Sequence, residues 1–325
     1  MANQYGISGS HIFITGGAGF IATTLAGRLA DDNRVTLFDN LHNNALQFSA
    51  LREHENVTFV KGDVLDEAAL QEAMTDDVDY VIHCAAIAGV DTVIGNPLKT
   101  LEVNILGVFN VFRAAKRLPG LKRIVDFSTS EVFGAHAYNV DEFTINPSVT
   151  IGEARWTYSI SKLAGEFIAH SYHEQFHLPT VTVRPFNVYG PNQVGVGSIH
   201  HFAVRAVRGD DLTIHDDGSQ IRAWCYVDDF VHGVLLSMAN DIAIGRSYNI
   251  GNPRSTVTTY NLARMIVAIA GSDSALRYKK MGFQDVALRI PNIDSARNDL
   301  GFEPRVELED GLARTIEHYR GRDTA

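Results

Sequence analysis

Cysteine is scarce: only Cys84 and Cys225 occur in 325 residues. Two are too few for a disulfide framework in a chain this long. Both lie in apolar runs, VIHCAA and AWCYV, which predict reduced core thiols. Basic charge is also short, with 28 Lys and Arg against 38 Asp and Glu, for a net charge of −10. Nucleic-acid binders gain affinity when Lys and Arg release counterions, so this balance argues against a phosphate-backbone ligand. It leaves room for a small phosphorylated ligand, which needs only one or two well-placed cations. No run reaches the ~18 apolar residues of a membrane span. The most apolar N-terminal stretch, residues 12–26, is interrupted by Gly16, Gly17 and Gly19, and no charged leader precedes an apolar segment. The expectation is a cytoplasmic protein that binds neither nucleic acid nor membrane.

What the chain does have is 45% apolar and 20% charged residues, which excludes collagen-like and disordered classes. Its length suggests about two domains at ~150 residues each. Short apolar runs at His11–Thr15, Arg34–Asp39, Val57–Asp63, Asp79–Ala86, Arg123–Thr129 and Thr180–Phe186 alternate with helix-like segments at Ala22–Asp31, Ala68–Met74, Leu101–Lys116 and Trp156–Phe176. Val, Ile and Phe on both faces of the runs predict parallel strands covered by helices on each side. The fold class is therefore α/β, a doubly wound Rossmann sheet. After Phe186 the rhythm becomes irregular, with strands at Leu212–His215 and Arg246–Gly251 and helices at Thr259–Ala270 and Leu308–Tyr319. Residues 1–183 are read as the dinucleotide-binding domain and 184–325 as a smaller α/β substrate domain, with a segment near 224–251 returning to the first.

Thr15-Gly16-Gly17-Ala18-Gly19-Phe20-Ile21-Ala22 follows the first strand and opens the first helix. Gly16 permits a tight turn, Gly19 lets the backbone approach a pyrophosphate, and a small third residue lets the helix pack on the strand. The free N–H groups and positive end of that helix suit phosphate. Asp39 ends the second strand about 20 residues on, where a carboxylate takes ribose hydroxyls and repels a 2′-phosphate, favouring NAD over NADP. The 13 histidines show no ligand spacing beside carboxylates; His200 and His201 are adjacent, and no metal is expected.

Tyr158 and Lys162 stand four apart on a predicted helix and share one face. Together with TGGAGFI (15–21), DN (39–40), GDV (62–64), CAA (84–86), NILGVFNV (104–111), STSEVFG (128–134), YSISK (158–162), RPFNVYGP (184–191) and RAWCYVDD (222–229), they give a chain that resembles the extended short-chain dehydrogenase/reductase family of nucleotide-sugar epimerases, dehydratases and decarboxylases. One departure is Ala22 in place of the third glycine. The resemblance implies Tyr158 as catalytic acid/base, Lys162 beside it and on the nicotinamide ribose, and Thr129 on the reacting hydroxyl. Gly16, Gly19, Phe20, Ile21, Asp39, Asn40, Asp63, Val64, Ala85, Ala86 and Asn104 would line NAD. Ser130, Asn187, Arg222 and Arg289 would meet a nucleotide-diphosphate sugar, the two arginines at its diphosphate. Helices at 101–116 and 159–176 match those that pair in homodimers of relatives, so a homodimer is expected. Leu212–Ile214 is expected to run beside the nucleobase through backbone groups, which leaves the base unread.

Family chemistry begins with removal of the C4 hydroxyl proton and transfer of hydride to NAD+. The ketone then permits epimerisation, 4,6-dehydration or loss of a C5 carboxylate. Ser130-Glu131 after Thr129 is similar to the decarboxylases and some dehydratases, where the carboxylate serves as a base or positions the ring. Arg155-Trp156 before the Tyr motif is similar to a bacterial uronate decarboxylase, although Trp156 also reads as a core aromatic. Decarboxylation of a UDP-uronate is the first expectation, ahead of 4-epimerisation and dehydration. Residues 88–92, Ala-Gly-Val-Asp-Thr, offer no cation for a uronate carboxylate, which leaves Ser130, Thr129 or a cation not visible in the sequence. An NAD-binding regulator or scaffold is the reading from another class, and the intact Thr129, Tyr158 and Lys162 weigh against it.

Overall fold

The computed structural model describes residues 2–145, 153–282 and 285–323. In chain order the first half runs β1 (His11–Thr15), α1 (Phe20–Leu29), β2 (Arg34–Asp39), β3 (Val57–Lys61), α2 (Glu67–Ala73), β4 (Tyr80–His83), α3 (Val90–Gly95), α4 (Pro97–Leu101), α5 (Gly107–Ala115), β5 (Arg123–Phe127), β6 (His136–Val140), α6 (Thr157–Phe176) and β7 (Thr180–Pro185). Then come β8 (Val188–Tyr189), α7 (Ser198–Arg208), β9 (Leu212–His215), β10 (Ile221–Ala223), β11 (Cys225–Tyr226), α8 (Val227–Ala239), β12 (Arg246–Ile250), β13 (Thr256–Thr258), α9 (Thr259–Ala270), β14 (Leu276–Lys279), β15 (Leu288–Pro291), α10 (Asp294–Leu300) and α11 (Leu308–Asp323).

Seven strands form one sheet in the order β12-β7-β5-β4-β1-β2-β3, and every neighbouring pair is parallel. Strands buried on both faces need apolar residues at successive positions, and β1, β4 and β5 are buried throughout. Ile12, Ile14, Ile82 and Val125 pack on one face with α1 and α8. Phe13, Val81 and Ile124 pack on the other with α5 and α6. The chain winds outward from β1 through β2 and β3, then starts again at β4 on the other side. This reversal opens a crevice at the strand C-termini between β1 and β4, where doubly wound sheets bind ligands.

The division at 183/184 expected from the sequence is crossed by strands in both directions. β12 pairs with β7 at the edge of the parallel sheet, while β6 joins the four-stranded sheet β13-β10-β15-β6. The helix expected over 101–116 begins as a π-helical turn at Glu102–Leu106 before α5. No helix of the described residues is long and apolar enough to cross a membrane. Cys84 and Cys225 are both free thiols, the second fully buried.

Asp229 ties the late segments to the sheet. It is buried in the first turn of α8 and accepts the backbone N–H groups of Arg305 (3.0 Å) and Val306 (2.9 Å). Asp229→Ala removes both bonds and is expected to cost about 1 kcal/mol, measured as a lower urea midpoint at unchanged m-value. An unchanged midpoint would remove this residue from the fold's supports.

Candidate functional site

The turn after β1 is built for close approach. Gly16 has φ +66°, and a Cβ there would stand 2.6 Å from the Ala85 backbone nitrogen. A Cβ on Gly17 would stand 2.7 Å from the Leu37 Cβ. Only glycine therefore lets the turn sit between the ends of β2 and β4. Gly19 precedes α1, whose N-terminus receives no side-chain cap and carries no acidic residue in its first turn. Its N–H groups remain available to an anion. Ala22 is buried against the core, so the small side chain in place of glycine fits the helix–strand contact.

At the end of β2, Asp39 accepts the amides of Ala18 (3.1 Å) and Leu41 (2.5 Å). Burial raises its pKa, and those amides oppose the rise. The next turn carries Asp63, which accepts from the Asn40 side chain at 3.1 Å and from the Leu65 amide at 3.0 Å. Val64 is buried above Gly107, and its carbonyl accepts from Asn110 at 3.0 Å. Ala85 and Ala86 line the exit of β4 half-buried. Phe20 and Ile21, also half-buried, form the first turn of α1.

Asn104, in the π turn, is spent inside the protein. Its Oδ1 accepts the Ile87 amide (2.8 Å), and its Nδ2 donates to the Ile87 carbonyl (3.0 Å) and the Ser161 hydroxyl (3.0 Å). It therefore clamps the segment after β4 to α6. Ser161 in turn donates to the Tyr158 carbonyl, and Ser159 donates to the Glu131 carbonyl, both at 2.8 Å. These bonds give the two serines of the Tyr-x-x-x-Lys run a physical role: they lock the first turn of α6 against the turn after β5.

That lock sets Tyr158 close to Thr129. Burial pushes the Tyr158 pKa up, as does the Glu131 charge, while Thr129, Arg289 and Arg155 oppose the rise. Without a further cation, Tyr158 is a phenol at neutral pH. Lys162 is buried one turn along α6. Burial lowers its pKa, and the Asp126 carboxylate opposes that fall.

Beside Tyr158 lies a compact charge cluster. Arg155 donates to both oxygens of Glu131 (2.5 and 3.3 Å) and reaches Asp285 at 3.4 Å. Arg289 stands 3.6 Å from Glu131, and Arg222 donates to Asp285 at 3.2 Å. Burial alone would raise the Glu131 pKa, but Arg289 and Arg155 hold it below the usual carboxylate range. Burial and the neighbouring Arg289 lower Arg222 to about 10, still a cation at neutral pH. Arg289 thus faces Glu131 and the reacting end of the cleft. Asn187, in the left-handed region at φ +42°, gives its Nδ2 to the Ala223 carbonyl at 2.8 Å. Ser130 is buried under the turn that carries Glu131.

Arg155 and Asp285 are the members that sequence reasoning missed. The signal for Arg155 was the Arg-Trp pair itself. Trp156 is a buried aromatic whose ring lies 5.2 Å from the Arg155 guanidinium and whose N–H is taken by Glu153. Asp285 carried no local signal.

Comparison with known proteins matches residues 12–251 to the model of the NAD dependent epimerase/dehydratase family. The chain is 32% identical to UDP-glucuronic acid decarboxylase 1 of Xenopus tropicalis over 317 residues, covering 95% of this chain and 72% of the relative. It is also 32% identical to UDP-N-acetyl-alpha-D-glucosaminuronate decarboxylase of Bacillus cytotoxicus, over 94% of this chain and 97% of that one. The solved UDP-glucuronic acid 4-epimerase of Bacillus cereus, in complex with UDP-glucuronic acid and NAD, superposes with a TM-score of 0.88 at 28% identity, over 96% of this chain and 99% of the other.

The cradle gives a direct test. Gly16→Ala puts a methyl group into the Ala85 backbone and a side chain into left-handed geometry. It is expected to weaken NAD+ binding by about 5- to 30-fold, the equivalent of ~1–2 kcal/mol of conformational strain, read by titration calorimetry. Parental affinity in that variant would sink the assignment of the turn.

Proposed function

The chain belongs to the NAD dependent epimerase/dehydratase family, and we propose that it decarboxylates a UDP-uronate after transient oxidation of the sugar at C4. NAD is its cofactor. The turn at Gly16–Gly19, the start of α1, Asp39 and the Asp63–Val64 turn would hold it. Bound there, it supplies the acceptor and later the donor of a hydride.

The chain's own residues do the rest. Tyr158 takes the C4 hydroxyl proton, and Thr129 hydrogen-bonds the same oxygen. The Lys162 ammonium favours the phenolate that this step needs, because an opposite charge nearby stabilises the ionised form. The ketone at C4 lies β to the C5 carboxylate, so the electron pair of the breaking bond moves onto the C4 oxygen as carbon dioxide leaves. Tyr158 and Thr129 stabilise that oxygen with their O–H groups. A proton from solvent completes C5, and Tyr158 returns its proton to the C4 oxygen when the ketone is reduced.

One observation carries the choice of a uronate: the cluster beside Tyr158 sets three guanidiniums, Arg155, Arg222 and Arg289, against two carboxylates, Glu131 and Asp285. Its one uncompensated positive charge suits a further carboxylate, and guanidinium is the side chain best matched to that geometry. This supplies the cation that the sequence did not reveal. Glu131, ionised and held by two arginines, keeps those guanidiniums oriented. Epimerisation of the same sugar at C4 is the second reading, favoured by the likeness to the Bacillus cereus epimerase. We propose a homodimer as well, since Leu98 on α4 and Ile160 and Phe167 on α6 stand exposed.

Incubation with UDP-glucuronate, UDP-N-acetylglucosaminuronate and UDP-glucose, followed by mass spectrometry, tests the reading. A product lighter by one carbon dioxide is expected from a uronate. Unchanged mass at a new retention time would instead mean epimerisation. Tyr158→Phe is expected to lower turnover by about 10²–10⁴-fold with NAD+ binding retained. Arg155→Lys, which keeps the charge but loses the forked contact, should weaken binding of UDP-glucuronate more than that of UDP-glucose, read as Kd by calorimetry. Equal effects on both sugars would remove Arg155 from carboxylate recognition.

A further inference from the structure

Four polar side chains cross the interior of the parallel sheet in a row. Thr15, His83, Asp126 and Thr182 are successive partners on β1, β4, β5 and β7, so they share one face of the sheet. All four are buried. Two residues earlier on the same face stand Phe13, Val81 and Ile124, the apolar packing normal for this position. The row is not closed. The His83 Nδ1 meets the Thr15 hydroxyl at 2.7 Å, but the His83 Nε2 and the Asp126 Oδ1 have no hydrogen-bond partner among the described residues.

Helix α6 covers this row, with Gly165 over the Asp126 Oδ2 (a Cβ there would be 3.7 Å away). Lys162 lies one turn earlier on α6. The other groups around Asp126 are occupied or neutral. Glu166 on α6 is held by both arms of Arg184 on β7 (2.9 and 2.6 Å) and by Ser128. His83 is pushed down to about 3 by burial and by Lys162, so it is uncharged at neutral pH. Burial pushes the neighbouring Cys84 thiol up, keeping it neutral. Thr182 is uncharged, and α5 presents Val108. Lys162 is the cation these surroundings leave for Asp126.

We infer that Asp126 is a positioning residue for the reaction, the buried counter-charge that keeps Lys162 an ammonium beneath the cofactor cleft. The inference rests on the role proposed above for Tyr158 and Lys162. A carboxylate in this position is costly, because burial without donors penalises its charge. Burial raises Asp126 to about 6 even against the pull of Lys162. Above that pH the carboxylate is ionised and supports the ammonium. Below it, Asp126 is neutral and Lys162 stands alone in a desolvated site.

The sign for stability is opposite to that for catalysis. A folded-state pKa raised above the ordinary ~3.9 contributes stability in full below about pH 4 and loses it as pH rises through about 6. Asp126→Asn removes the charge while keeping the shape, and Asp126→Leu makes the row apolar. Both variants are expected to melt higher than the parent at pH 8, with the gap closing toward pH 5. Turnover at pH 8 should nevertheless fall by about tenfold, equivalent to one unit of pKa, with the deficit closing as pH falls and solution protonates the lysine that has lost its counter-charge. NAD+ affinity, followed by fluorescence quenching from pH 5 to 8, should be weaker in the variants than in the parent at pH 8 and converge with it toward pH 5.

Variants that melt lower at pH 8 and lose turnover in proportion would make Asp126 a packing residue only and overturn the inference. So would variants that keep the parent's pH profile. If the parent itself turns over none of the three nucleotide sugars, the functional reading fails by itself, and the melting and NAD+-affinity profiles still decide Asp126.

Discussion

Parallel pairing of β1 with both β2 and β4 is the constraint on which the rest of the molecule depends. It sends the chain away from β1 in two directions and leaves a gap at the C-terminal ends of those strands. The gap can be used only if the turn leaving β1 is thin. Gly16 and Gly17 are thin enough, since a Cβ on either would overlap the backbone of a neighbouring strand or its Leu37 side chain. The same pairing brings Asp39, at the end of β2, to the amide of Ala18 in that turn. One topological choice thus fixes the glycine turn and the Asp39 carboxylate together, the two parts proposed to hold the cofactor's phosphates and ribose.

The second requirement is to bring ionisable groups into this dry edge without leaving them uncompensated. Helix α6 carries Tyr158, Lys162 and Glu166 at four-residue spacing, so all three project on one side. Each is treated differently. Glu166 receives a buried, bidentate arginine, a pairing that offsets the desolvation of both partners only because the geometry is good. Tyr158 is left protonated by burial. Lys162 has the Asp126 carboxylate as its electrostatic support. The serines between them spend their hydroxyls on backbone carbonyls of the same region, which fixes the helix start without adding charge.

Much of this was legible in the sequence for a physical reason. Strands buried on both faces must be apolar at successive positions, so His11–Thr15 and Arg34–Asp39 could be read to the residue. The glycine turn was legible because close backbone approach admits few side chains. The charge cluster was not. Its members, residues 131, 155, 222, 285 and 289, come from the turn after β5, the segment before α6, β10, a loop and β15, and no local period links them. Asn104 was expected to line the cofactor, and its bonding was not legible. The π turn that carries it has no signature in NILGVFNV, and only its contacts to Ile87 and Ser161 reveal a clamp. The pairing of β12 with β7 falls in the segment near 224–251 expected to return to the first sheet, whereas the crossing of β6 into the second sheet had no signal in the sequence.

The charge cluster bears directly on how one fold can host several outcomes. In the proposed mechanism, oxidation at C4 draws on Thr129, Tyr158 and Lys162 whatever follows. The outcome is set by what surrounds C5 and its substituent. An isolated Glu131 would repel a uronate and act as a base toward C5. A Glu131 held by Arg155 and Arg289 has its lone pairs largely occupied and its charge overcompensated. That weakens it as a base, since a lowered pKa makes the carboxylate a poorer proton acceptor, and it turns the pocket from anion-repelling to anion-accepting. The same residue that reads alone as a base or a ring-positioning group therefore favours carboxylate binding when read with its partners. The aspartate at residue 285 completes the arrangement by bridging Arg155 and Arg222, so that the guanidiniums share two anions and remain in place with one charge to spare.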